Sequence, residues 1–212
     1  MVMTNWVRGG LLAASSAALL MLPGARRIPR YRPTTLNGIR TIDDAVTHCR
    51  QTELTGWDLV TYAQQLVSQK FAVYSTLNLW DTPNHAFVVG MGYCTQYNLA
   101  LKHLLDLLGF SSQAVFSFKV QVDNNPDWVM GHTWLRVTLN GETRDVCAGE
   151  LDNRPGSVHF RPVFPVLSGY SLILFLTHLG MIFFIGILEW RALLTGRPSP
   201  DWMYRRRLPE TG

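Results

Sequence analysis

Between Gly90 and Leu108 the chain reads GMGYCTQYNLALKHLLDLL. Tyr97, Leu101, Leu104, Leu105 and Leu108 recur at helical spacing, which predicts one helix with a single buried face, stopped by Gly109. The rest of the fold must supply a layer against that face. Cys94 falls in the first turn of this helix. Free N–H groups and the positive end of the dipole favour a thiolate there. Gly90 and Gly92 let a backbone or a substrate come close. The same cysteine also fits a small buried thiol, so partners elsewhere in the chain must decide.

Upstream, Thr41-Ile42-Asp43-Asp44 starts a helix that continues through Ala45, Val46 and Cys49 and breaks at Gly56. Trp57–Gln69 predicts a second helix, with Leu59, Tyr62, Ala63, Leu66 and Val67 as its buried stripe. Phe71–Leu77 has strand composition, and Asp81-Thr82-Pro83-Asn84 is a loop. Downstream the period changes to two. Gln113–Val122 and His132–Leu139 are strands separated by the loop Asp123–Asp127. Asn140-Gly141 signals a tight hairpin into a third strand, Thr143–Ala148. Helices followed by an antiparallel sheet predict an α+β domain with one core.

Of the 212 residues only 16% are charged, and the net charge of +4 comes largely from arginines near the two ends. The middle is nearly balanced, which argues against a nucleic-acid footprint. Leu11–Leu22 is a short apolar block inside an uncharged stretch, so residues 1–25 resemble a signal peptide or anchor. Residues 26–40 are an Arg- and Pro-rich linker, and the domain occupies 41–160. Val163–Leu188 carries no Asp, Glu, Lys or Arg, enough to span a bilayer as a helix. Arg191, Arg197 and Arg205–Arg207 follow it, so 189–212 is expected as a basic cytoplasmic tail, with the domain outside. The arginines after the N-terminal block oppose that orientation. Cys49, Cys94 and Cys147 are too few for a disulfide framework and lack metal spacing, as do His48, His103, His159 and His178.

Cys94 at a helix start, His132 opening a strand and Asp145 on the hairpin partner make an ordered nucleophile, base and orienting carboxylate. The backbone N–H of Cys94 would face a developing oxyanion. G-x-G-Y-C-T-Q-Y at Gly90–Tyr97, Leu108-Gly109-Phe110, H-T-W-L-R-V at His132–Val137 and the Asn140-Gly141 turn together resemble the transglutaminase-like superfamily, over roughly residues 41–150. The resemblance implies a papain-like core, thiol chemistry on peptide or protein amides, and no organic cofactor or metal. It also leaves room for a catalytically idle module used for membrane-bound binding or assembly.

In that family the carboxylate usually falls two residues after Asp145, where this chain has Cys147. A regular hairpin sets Asp145 opposite Arg136 and Cys147 opposite Trp134, on the face of His132. Asp145 therefore needs a bulge to reach His132; the alternatives are Glu150 or Asp152 as substitutes, or a Cys94–His132 dyad without a carboxylate. Asn84, His85, Trp57, Trp80, Gln96 and Trp134 are weaker candidates for lining or supporting the site.

Overall fold

The computed structural model describes Leu19 and residues 36–123, 125–168 and 172–207. The expected N-terminal signal or anchor, apart from Leu19, and the linker up to residue 35 lie outside those residues. Helix α1 (Ile42–Gln51) begins with a reciprocal cap. The Thr41 hydroxyl accepts from the Asp44 N–H, and the Asp44 carboxylate accepts from the Thr41 N–H. Helix α2 (Gly56–Lys70) follows, and β1 (Val73–Ser75) pairs in parallel with β2 (Met91–Gly92).

Between these strands lies α3 (Pro83–Val89), where the sequence suggested a loop followed by an apolar run. Thr82 caps the His85 N–H, Pro83 occupies the first turn, and Gly90 closes the helix at φ 74. Those are start and stop signals for a short helix. Helix α4 (Cys94–Leu107) has the predicted buried face, including Tyr97, Leu101, Leu104 and Leu105. Gly109 stands just past its end at φ 88.

The sheet beside α4 is antiparallel. Strands β3 (Ser111–Val122), β4 (Asn125–Leu139), β5 (Glu142–Val146) and β6 (Phe160–Pro162) run in the order β5-β4-β3-β6, and β7 (Leu167–Ser168) also pairs with β3. Asn140 and Gly141 adopt φ 51 and φ 80, the pair of left-handed residues a tight hairpin requires. The β4–β5 register runs unbroken from Leu139↔Glu142 to Leu135↔Val146. The irregularity lies on the other side of β4, where the β3 register slips between Ser117 and Val120, beside His132. The fold is a mixed α+β domain with a helical layer and a curled sheet sharing one core.

Helix α5 (Leu172–Thr195) contains a segment, Leu176–Thr195, long and apolar enough to cross a membrane. Its inner face packs on the domain through Met181, Ile182, Ile185 and Leu188. Tyr93 Oη and His178 Nδ1 are hydrogen-bonded at 2.7 Å. The chain then returns. A 3-10 turn (Asp201–Met203) buries Met203 in the core, and β8 (Tyr204–Arg206) pairs with β1. Strand β7 before the helix pairs with β3 and β8 after it pairs with β1, so both flanks of α5 join strands of the domain in this structure. A crossing would strip β8 from β1. A reporter in the Asn140-Gly141 turn and one after Gly212 are therefore expected to report the same side of a membrane; opposite sides would show that α5 crosses.

Candidate active site

Cys94, His132 and Cys147 line one cavity of about 310 Å³. Its walls come from α4, β3, β4, the loop after β5, and the C-terminal return with Trp202, Arg205 and Arg207. Cys94 is the first residue of α4 and is only 7% exposed. Burial pushes its thiol up. The Thr133 N–H, the Thr95 side chain and the N–H groups of Thr95 and Cys94 oppose that, as a helix start should, but burial outweighs them. The sequence-based expectation of a depressed Cys94 pKa is corrected accordingly.

His132 is 8% exposed. Its ring stacks on Trp134 with centroids 6.2 Å apart and meets Phe160 edge-on at 4.6 Å. Burial drives its pKa down to about 4. The resting imidazole is therefore neutral near pH 7. Its Nε2 stands 3.3 Å from Cys147 Sγ, while Nδ1 has no hydrogen-bond partner among the described residues.

The structure does not bring Asp145 to His132. Without a β5 bulge, Asp145 stays opposite Arg136, and its carboxylate accepts from Arg136 Nε at 3.1 Å. The substitutes do not hold the ring either. Asp152 pairs with His159 at 3.2 Å, and Glu150 lines the cavity without bonding His132. The group beside the ring is Cys147, at 1% exposure, the residue that stands where a carboxylate was expected from the resemblance. Gly149 N–H and Asn98 Nδ2 donate to its sulfur at 3.3 and 3.5 Å. Burial nevertheless raises its pKa to about 12, against the opposing effect of Asn98 and Gly149.

Asn98 ties these pieces together. It lies one turn after Cys94, donates to Thr133 O at 2.7 Å, and accepts from the Ala148 N–H at 3.0 Å. Helix, His132 strand and Cys147 loop are thereby linked through one amide. An Asn on the apolar face of a Leu-rich helix, four residues after the cysteine, is the available sequence signal. Arg207 braces the loop from the other side, donating to Ala148 O at 2.9 Å and to Gly149 O. It also bonds Phe71 O and Ser68 Oγ. Nothing in the tail composition signalled that role.

The weaker candidates sit elsewhere. His85 pairs with Asp81, Asn84 bonds His103, Trp80 is exposed, and Trp57 stacks under Arg144. Gln96 holds the carbonyls of Asn78 and Asp81 and accepts from the Tyr93 N–H, fixing the start of α4.

The depressed His132 pKa makes stability depend on pH with a definite sign. The unfolded chain protonates this ring near its ordinary 6.5, the folded one only near 4. Stability is complete above that ordinary value and is lost as pH falls toward 4, by about 3 kcal/mol. Denaturant midpoints at pH 7 and pH 4.5 should differ for the native chain by more than for His132→Gln. An equal acid loss in both would place the sensitivity elsewhere.

No family model and no curated protein matches this chain. Among solved structures, one described as "a Putative Cysteine Protease from Cytophaga hutchinsonii" is similar at 11% identity and a TM-score of 0.39. The match covers 62% of this chain and 50% of that one, so the chain spans about half that protein's length. A likeness this distant carries no functional argument.

Proposed function

We propose that this protein is a thiol enzyme acting on amide bonds of a peptide or protein, with Cys94 as nucleophile and His132 as acid and base. The supporting observation is that Cys94, His132 and Cys147 converge on one cavity while His132 Nε2 is engaged and Nδ1 is left available. In this reading Nδ1 takes the Cys94 proton as sulfur attacks the carbonyl carbon. The imidazolium returns that proton to the leaving amine, giving a thioester and a free amine. Water or an acceptor amine then attacks the thioester, losing its proton to Nδ1, and Cys94 is restored. The N–H groups at the start of α4 are suited to the oxyanion.

Cys147 replaces Asp145 as the group that holds the ring. An Nε2–H donated to its sulfur fixes the tautomer with Nδ1 bare. A papain-like, transglutaminase-like ancestry of the core belongs to the same proposal. So does membrane association, which α5 would provide through its outward residues Leu176, Phe184, Ile187 and Leu194, exposed on the surface.

One observation favours a second reading, an idle module of the same fold. The bonded partner of His132 is Cys147 rather than Cys94, and neither thiol is acidified. Incubation with an amide peptide library, acid quench and peptide mapping separate the two. A mass increment on Cys94 equal to the acyl half of a cleaved peptide is the enzyme result. Its absence across the library, with no amine released, supports the idle module.

A further inference from the structure

Strand β8 adds to the edge of β1 with Tyr74 opposite Arg205. Alternation along an extended strand sends Arg205 and Arg207 to one face, and both line the cavity that holds Cys94. The two guanidinium groups are used differently. The donors of Arg207 are occupied by the carbonyls of Phe71, Ala148 and Gly149 and by the Ser68 hydroxyl, and its plane lies over Tyr97. Arg205 makes no hydrogen bond or ion pair among the described residues. Its guanidinium carbon rests 5.5 Å from the centre of the Tyr74 ring, which also lines the cavity. The ring limits the wandering of the fork and leaves its donors open.

The rest of the lining is poor in anions. Glu150 is the one carboxylate among the lining residues, against Arg205 and Arg207; the Asp152 carboxylate that pairs with His159 is outside the lining. A single open fork beside aromatic walls matches one carboxylate bidentately.

Resting on the proposed thiol chemistry at Cys94, we infer that Arg205 is a specificity residue of this site: it receives a carboxylate carried by the acyl-donor substrate, so that the cavity selects anionic peptides or amides. The C-terminal return is then part of the substrate site, and not only a brace.

Alkylation of Cys94 by iodoacetate and by iodoacetamide tests this without requiring turnover. Both transfer a two-carbon unit to sulfur with loss of iodide, but only the first carries a carboxylate. The full chain in neutral detergent is labelled at low salt, and rates at Cys94 are read by peptide mapping. The native chain should show a higher iodoacetate-to-iodoacetamide rate ratio than Arg205→Gln, by about tenfold, with Arg205→Lys keeping part of it. Salt at 0.5 M should shrink the difference. An equal ratio in native and Arg205→Gln overturns the inference, as does an equal fall in Arg191→Gln, which would mark diffuse positive charge. Should Cys94 react with neither reagent, the nucleophile reading fails separately. The anion site is then decided by calorimetric titration of the same chain with glutarate and glutaramide. Preference for glutarate that Arg205→Gln abolishes upholds it, and equal affinity overturns it.

Discussion

On the proposed function, replacing Cys94 by serine is expected to lower amide turnover by about three orders of magnitude or more, with the fold intact. Removing a nucleophile from a covalent mechanism commonly costs that much, because proton transfer and attack fail together. The fold should tolerate the change. The Cys94 sulfur already receives N–H donation from Thr133 and from the helix start, and a serine oxygen accepts the same donors. The informative comparison is Cys147→Ser. Its sulfur is the one in contact with His132 at 3.3 Å, so the alternative assignment makes Cys147 the attacking group. Under the assignment to Cys94, Cys147→Ser keeps a weak partner for Nε2 and loses at most about tenfold to a hundredfold. Steady-state kinetics on both variants, with circular dichroism to check the fold, decide between them. Loss concentrated in Cys147→Ser would exchange the roles of the two thiols.

How far the sequence reaches is visible in these same residues. The α4 helix, its apolar face and its stop at Gly109 follow from a period and a glycine, because a buried amphipathic helix imposes both locally. The tight turn at Asn140-Gly141 is equally local. What the sequence left ambiguous is set by tertiary position. Asp145 lies on the face shared with His132, but two residues separate it from the position that touches the ring, and an unbroken β4–β5 register leaves it with Arg136. The bulge sought in β5 exists in β3, opposite the Met130–His132 stretch in the middle of β4, where no motif marks it. The Cys94 pKa went the other way because helix-end stabilisation is a sequence-local effect, while desolvation depends on what the whole fold stacks above it. The same limit explains the tail. An uncharged run followed by arginines has the composition of a membrane helix and its flank. Only the β1–β8 pairing and the donors of Arg207 reveal that this stretch closes onto the domain.

Changing Cys147 to aspartate is expected to move the pH dependence of the site and to raise Cys94 reactivity near neutrality by about tenfold or more. In the native chain His132 is held near 4 because burial opposes its charged form, and no carboxylate among the described residues bonds its ring. Transfer of a proton from Cys94 to that ring is uphill, so thiolate chemistry should rise toward alkaline pH. A carboxylate at position 147 would sit against Nε2 and stabilise the imidazolium, an effect of one to three pKa units or about 1–4 kcal/mol. The surroundings can carry the charge: Gly149 N–H and Asn98 Nδ2 already donate to this position, and the Arg207 guanidinium braces the same loop. Rates of iodoacetamide labelling at Cys94 from pH 5 to 10 give the profile directly. The native curve should climb through the alkaline range, whereas Cys147→Asp should add a limb on the acid side, where thiolate and imidazolium coexist. Cys147→Asn supplies a neutral side chain of the same shape and should not add that limb. A folded Cys147→Asp chain whose profile superposes on the native one would show that the group beside Nε2 does not control the proton of Cys94, and His132 would lose its place as the base.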